Sequence, residues 1–229
     1  RREVDRVRRG EEDGAPENND LRLKWVHGYN HEGRGTVRYT SDGSVCYYAA
    51  SLAVVMKPPS GKKQADKTQE FNFGHGDDVT SIAMHPSNNI VATGERGKKP
   101  SILIWDSKTM NTLHTLKGFH RRSVANMAFS HDGKFLISIG GDDDHSIAIY
   151  DWKNDKIKTS CKGDKSKILD VVFDPADSGA FATVGVKHVK FWSVQGQNVS
   201  GKKGVLGKRG KLQAFVAAEF VGKDLVVGT

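Results

Sequence analysis

Short apolar runs alternate with polar turns along most of this chain, and the runs recur. One stretch reads Val79-Thr80-Ser81-Ile82-Ala83-Met84, then Ile90-Val91-Ala92-Thr93-Gly94, then Ile102-Leu103-Ile104-Trp105-Asp106. A second reads Val124 to Phe129, Phe135 to Gly140 and Ile147 to Asp151; a third reads Ile168 to Phe173, Ala180 to Gly185 and His188 to Ser193. A fourth opens at Phe215 to Phe220 and reaches Leu225 to Thr229. Each run is rich in β-branched and aromatic residues and is bounded by Gly, Asp, Asn or Pro, which predicts strands joined by turns. Helical 3.6-residue spacing is absent from the runs.

The register of the copies is tight. Val79, Val124, Ile168 and Phe215 are separated by 45, 44 and 47 residues, and Met84, Phe129, Phe173 and Phe220 keep the same steps. Trp105, Tyr150 and Trp192 follow at 45 and 42. A four-stranded unit of this length is one blade of a β-propeller. The predicted fold is therefore all-β, a partial propeller of about three and a half blades over 71–229. A ring takes roughly four to eight blades, so the pattern predicts a segment of a longer protein.

The units resemble the WD-repeat family, whose blades carry a His before the first strand, a Ser or Thr in the second, an Asp in the next turn and a Trp in the third. The first copy has His75, Thr93 and Trp105, with Glu95-Arg96-Gly97 where the Asp is expected. The second has His120, Ser138 and an Asp142-Asp143-Asp144 turn, with Tyr150 for Trp; the third keeps Thr183 and Trp192 and has Asp164 in place of His. The polar network is expected to be incomplete in every blade, leaving atypical blades held by apolar packing.

Residues 21–57 start outside the blade pattern. Periodicity alone reads them as two or three hydrophobic strands. Their Trp25-x-x-Gly28-Tyr29 unit, the Asp42-Gly43 turn and the Tyr47-Tyr48-Ala49-Ala50-Ser51-Leu52-Ala53-Val54-Val55 run resemble the hydrophobic (HELP) motif of the echinoderm microtubule-associated protein-like family. That motif immediately precedes WD repeats in the family, as it does here. Gly74 to Val79, Ile104 to Ser107 with Asn111 to His114, and Phe191 to Gly196 resemble its first and third blades. The resemblance spans about 21–229. It implies two joined atypical propellers, a hydrophobic motif packed in the core linking them, and binding of microtubules or soluble tubulin. It gives structural roles to Trp25, Gly28 and Tyr29. The expected organisation is a charged linker over 1–20, the hydrophobic motif over 21–57, a basic loop over 58–70 and blades over 71–229.

Charge sharpens the partner. The chain carries 35 Lys and Arg against 27 Asp and Glu, a net +8. Residues 1–20 hold five Arg and seven acids, so the excess lies in the rest of the chain, most of it after Asp151. Such a surface attracts acidic partners. Lys202, Lys203, Lys208, Arg209 and Lys211 read as one Gly-rich loop between the third and fourth blades, with no acid over 196–218. Lys62 and Lys63 form a second basic group, and Arg121 and Arg122 flank the first strand of the second blade. These are the candidate tubulin contacts, since tubulin's surface and tails are acidic; a solvated basic face is the alternative.

Catalytic chemistry finds no support in the sequence. Asp142 to His145 has metal-binding residue types, but Asp serves turns at such a place. Residues 196–203 approach a P-loop, yet Lys203 stands where the magnesium-binding hydroxyl belongs and no helix follows. Cys46 and Cys161 lie in apolar stretches, as free thiols of a reducing compartment do. The longest nearly apolar run, Cys46 to Met56, is far short of the roughly 20 residues of a membrane span. The reading is a cofactor-free microtubule scaffold of the cytoplasm or cytoskeleton, with the ciliary axoneme as one setting and axonemal proteins as further partners. A general WD-repeat adaptor for a ubiquitin ligase or signalling complex is the alternative, and nucleic acid ranks third because aromatics do not interleave with the basic residues.

Overall fold

The computed structural model describes residues 23–30, 33–58, 68–208 and 210–229. The charged 1–20 segment and most of the 58–70 loop lie outside them. The described chain is built from antiparallel hairpins. β1 (Val37–Tyr39), β2 (Val45–Ala49), β3 (Leu52–Lys57) and β4 (Thr68–Asn72) form one meander. β5 (Val79–Met84), β6 (Ile90–Gly97), β7 (Ile102–Asp106) and β8 (Thr112–Leu116) form the second. β9 (Arg122–Phe129), β10 (Phe135–Gly140), β11 (Ile147–Asp151) and β12 (Lys156–Cys161) form the third, with a 3₁₀ turn over Trp152–Asn154. β13 (Ile168–Phe173), β14 (Ala180–Gly185), β15 (His188–Gln195) and β16 (Asn198–Lys203) form the fourth, and β17 (Ala217–Val221) and β18 (Asp224–Gly228) begin a fifth. The expected partial propeller is the fold observed.

The hydrophobic segment before the repeats is itself a four-stranded unit in phase with them. The second strands begin at Val45, Ile90, Phe135 and Ala180, each 45 residues after the last. The turn entering β2 is also built like a later one. Thr40 Oγ1 donates to Asp42 Oδ1, which also accepts from Ser44 N–H, as Asp132 accepts from Ser130 Oγ and Lys134 N–H. The unit is hard to read in sequence because β1 is three residues long with Tyr39 exposed. Its fourth strand, β4, lies beyond the Lys- and Gly-containing 58–67 stretch and crosses the expected boundary at residue 70.

The core lies between the sheets. Cys46, Tyr48 and Val55 of the first unit pack on Val79, Leu103 and Trp105 of the second. Ile102 and Ile104 then pack on Met127, Leu136 and Tyr150, and Ile137 and Ile149 on Ile168, Phe181 and Trp192. Middle strands are buried on both faces, so β10 (Phe-Leu-Ile-Ser-Ile-Gly) reads as a continuous apolar run and not an alternating one. Burial of each large side chain contributes about 1.5–3 kcal/mol. Of the two free cysteines, Cys46 is buried, its thiol pushed up to about 12 by burial, and Cys161 is half-buried.

Neighbouring units are also joined through their innermost strands. Ser81 Oγ donates to Val124 C=O, Asn126 Nδ2 to Leu169 C=O, and Ala218 N–H to Asp170 Oδ2. Ser81, Asn126 and Asp170 occupy the same place in successive repeats. A bulge precedes each of them, at Thr80, Ala125 and Leu169, where the pairing with the second strand shifts register. The long β6 continues past its own unit to pair Arg96 with Ser123 and Gly97 with Arg122 of β9.

Candidate binding surface

Three buried polar networks position the loops that frame the surface. In the second unit His75 Nε2 lies 2.7 Å from Thr93 Oγ1, which accepts from Trp105 Nε1 at 3.1 Å, while His75 Nδ1 lies 3.0 Å from Glu95 Oε2. The indole can only donate and the carboxylate can only accept. A neutral His75 carrying its proton on Nδ1, with the Thr93 hydroxyl donating to Nε2, satisfies every group. Glu95 also accepts from Gly76 N–H and from Ser101 N–H and Oγ. Burial pushes its carboxyl up, but these hydrogen bonds outweigh burial and hold it at about 2.

Glu95 therefore performs the role expected of an Asp, and the first repeat's network is complete. This corrects the expectation that all three are broken. Glu95 ends its strand's pairing with β5 opposite Val79, and its side chain reaches back to both loops.

The third unit uses a different set. His120 Nε2 lies 2.6 Å from Ser138 Oγ, and His120 Nδ1 lies 3.1 Å from Ser146 Oγ, which donates to Asp142. Burial lowers His120 to about 4, against the attraction of Asp142. Tyr150 replaces Trp, hydrogen-bonds Ser138, and is pushed up to about 12 by burial. Of the three networks, the fourth unit's is short of partners. Trp192 Nε1 donates to Thr183 Oγ1 at 2.9 Å, but no His joins that pair, and His188 of β15 has its Nε2 buried with no partner among the described residues.

The Asp142-Asp143-Asp144-His145 turn is consumed by the fold. Asp142 accepts from Ser146, Asp143 takes both amino groups of Arg122 at 2.5 and 2.7 Å, Asp144 pairs with Lys162 at 3.1 Å, and His145 Nδ1 donates to Asp164 C=O. Among the described residues no group of three His, Cys, Asp or Glu side chains is placed to hold a metal.

Of the structural residues expected in the N-terminal motif, Trp25 is half-buried against His27, Gly28 adopts φ +83°, and Tyr29 is exposed. The stretch runs without regular secondary structure and is held where the Gln69 side chain accepts from Val26 N–H and donates to Val26 C=O.

The basic residues fall into separate places. Lys202 and Lys203 are not in a loop: they end β16, the outer strand of the fourth unit, both exposed. The sequence hid this because the Gly196-Gln197 turn and Gly201 read as a flexible stretch. Residues 196–203 are instead the tight turn and outer strand of the β15–β16 hairpin, and no helix follows among the described residues. Lys203 stands opposite Lys190 of β15, a lysine the sequence reading missed because only strand register brings the two together. Lys190 Nζ lies 3.9 Å over the Trp192 ring. Lys208 and Lys211 are exposed on the connection to β17, which is tied down by Lys187 N–H donating to Gln213 C=O and Phe215 N–H to Gly185 C=O. Arg121 and Arg122 line a separate cleft of about 520 Å³ with Asp142, Asp143, Asp144 and Lys162, where acids offset their charge. Arg209, Lys62 and Lys63 lie outside the described residues.

This architecture has known relatives. Residues 68–229 match the family model described as "Echinoderm microtubule-associated protein first beta-propeller". The chain belongs to the echinoderm microtubule-associated protein family. The family match begins at β4 and runs through every later strand. The chain is 31% identical over 221 residues to echinoderm microtubule-associated protein-like 2 of Rattus norvegicus, covering 91% of this chain and 33% of the relative. It is 30% identical over 212 residues to echinoderm microtubule-associated protein-like 1 of the same species, covering 87% and 25%. Identity to the 77 kDa echinoderm microtubule-associated protein of Strongylocentrotus purpuratus is 30% over 219 residues, covering 91% and 31%. The chain thus spans about a third or less of these curated relatives. No helix among the described residues is long and apolar enough to cross a membrane.

Proposed function

We propose that this chain is part of a microtubule-associated scaffold that binds the tubulin lattice through the basic rim of its propeller. The observation that carries the reading is the exposed cationic run of Lys202, Lys203, Lys208 and Lys211 on a propeller of this family, with no acid between residues 196 and 218. The names of its relatives make a microtubule the natural acidic partner. Arg209, Lys62 and Lys63 join the proposal on sequence alone, and Arg121 and Arg122 as weaker contributors because Asp143 already binds Arg122. The blades are WD repeats, the segment over 21–57 is the family's HELP motif, and the chain belongs to a tandem propeller. It works without cofactor or catalysis, on the microtubule cytoskeleton, with the ciliary axoneme as one setting where other axonemal proteins would be held.

Cosedimentation with taxol-stabilised microtubules tests this. The protein is expected in the pellet at low salt and progressively released as the Debye length shortens from about 10 Å at 0.1 M toward 3 Å at 1 M. Removal of the acidic tubulin tails should weaken binding. Absence from the pellet at low salt, together with capture of an unrelated peptide, would favour a general adaptor.

A further inference from the structure

We infer that β16 is a docking edge for an extended acidic segment, which adds to the sheet as a further strand. The inference deepens the reading above and rests on it for the acidic character of the partner. The outer strand of a sheet presents unpaired N–H and C=O groups, and folds blunt such edges with bulges, charge or cover. Four outer strands are available for comparison. β4 carries Glu70 and no cation of its own. β8 and β12 are interrupted by bulges, at Leu113 and Lys158, where their pairing with β7 and β11 shifts register. Lys158 is also drawn over the Phe135 ring at 3.8 Å.

β16 has no bulge, and the charge that guards it is cationic, so it repels a basic strand and not an acidic one. Its six residues pair with β15 without a break, from Asn198 opposite Gln195 to Lys203 opposite Lys190. Gly204 N–H donates to Val189 C=O. In an antiparallel ladder the inward-bonded residues alternate, so Asn198, Ser200 and Lys202 face β15. The N–H and C=O groups of Val199, Gly201 and Lys203 are left on the outer side, and no described residue bonds them. The turn end of the strand is held in place by Thr159 Oγ1, which donates to Gln197 C=O at 2.5 Å.

The side chains specify the occupant. Successive residues of a strand point to opposite faces, so Lys202 flanks the edge on one face and Lys203, with Lys190 beside it, on the other. Neither Lys202 nor Lys203 has a hydrogen bond or ion pair with a described residue. Asp164 lies near enough to feel Lys190 and Lys203: burial raises its carboxyl, and the Ser166 N–H, then His188, Lys190 and Lys203, outweigh burial and lower it. An added strand meets cations on both its faces only if its acids are consecutive. The chemistry recognised is therefore a run of neighbouring glutamates or aspartates in extended form, not an alternating amphipathic strand. Gly201 lets Trp192 and Lys190 pack over the strand, since a Cβ there would stand 2.6 Å from Lys190 Cε and 2.7 Å from the Trp192 ring.

The probe is a fluorescein-labelled peptide of ten consecutive glutamates, compared by fluorescence polarisation with ten consecutive N-methylglutamates, a peptide of equal charge. An N-methylated amide has no N–H to donate to the β16 edge. The intact protein should bind the first at least about tenfold more tightly, the factor expected from losing two or three main-chain hydrogen bonds. Val199→Pro, which removes one outward N–H and no charge, should weaken the first peptide and leave the second unchanged, with Val199→Ala controlling for packing. Lys202→Glu with Lys203→Glu should remove binding of both. Equal affinity for the two peptides would overturn strand addition. Loss of peptide binding with retained cosedimentation would also overturn it while leaving the microtubule reading in place. Failure of cosedimentation with retained peptide preference would do the reverse.

Discussion

Thr93→Val removes one hydroxyl that serves two buried partners. Thr93 and Trp105 are fully buried and His75 nearly so. The substitution keeps the side chain's shape, so no cavity opens. It leaves the Trp105 indole N–H and His75 Nε2 without partners. Each unsatisfied buried group costs about 1–3 kcal/mol, which puts the loss at about 2–5 kcal/mol once the added methyl is counted. Thr183→Val is the internal control. Its hydroxyl serves only Trp192, so its expected cost is about 1–3 kcal/mol. Urea unfolding followed by tryptophan fluorescence measures both, with the midpoint converted through the m-value. Adding Trp105→Phe should shrink the cost of Thr93→Val, because the orphaned N–H is then gone, and a double-mutant cycle isolates that coupling. A Thr93→Val variant within about 0.5 kcal/mol of the parent, the range of ordinary surface changes, would refute the network. So would one no less stable than Thr183→Val.

Acid should weaken the fold in two stages. His120, lowered to about 4 from an ordinary 6.5, stabilises fully above pH 6.5 and loses that contribution as pH falls toward 4; Glu95, held at about 2 against 4.5, stabilises fully above 4.5 and loses it toward 2. In urea titrations, Glu95→Gln should reduce the lower stage, to which Asp42 and Asp132, also held at about 2 by hydrogen bonds, contribute, and leave the upper stage unchanged. Gly94→Ala should destabilise by about 1–3 kcal/mol through overpacking, because a Cβ there would stand 2.6 Å from Val124 Cβ of the next unit. Gly43→Ala meets nothing within 4 Å and should cost only the left-handed strain of φ +78°, about 1–2 kcal/mol; thermal melts of the two variants rank them.

The repeats were legible because packing between sheets repeats with the chain: the residues aligned at Val79, Val124 and Ile168 are all buried between neighbours. Trp105 and Trp192 stood out for the same reason. The first unit was obscured by its three-residue first strand and by the insertion before its fourth. Glu95 was missed because a longer carboxylate in the Asp position has no local sequence mark; only the positions of Gly76 and Ser101 show what it binds. The basic surface was legible as composition but not as geometry. Asp143 neutralises Arg122 from 21 residues away, and Lys190 joins Lys203 through strand register. Neither relation is visible in charge spacing along the chain.

Microtubule binding through the exposed cationic rim is the proposal on which the functional reading rests. Its most direct test is quantitative cosedimentation of the parent and of a variant carrying Lys202→Glu, Lys203→Glu, Lys208→Glu and Lys211→Glu, at low salt. These side chains are exposed, so the variant should unfold at the same urea concentration as the parent. It should leave the microtubule pellet while the parent stays in it. Equal pelleting of a correctly folded variant would contradict the account.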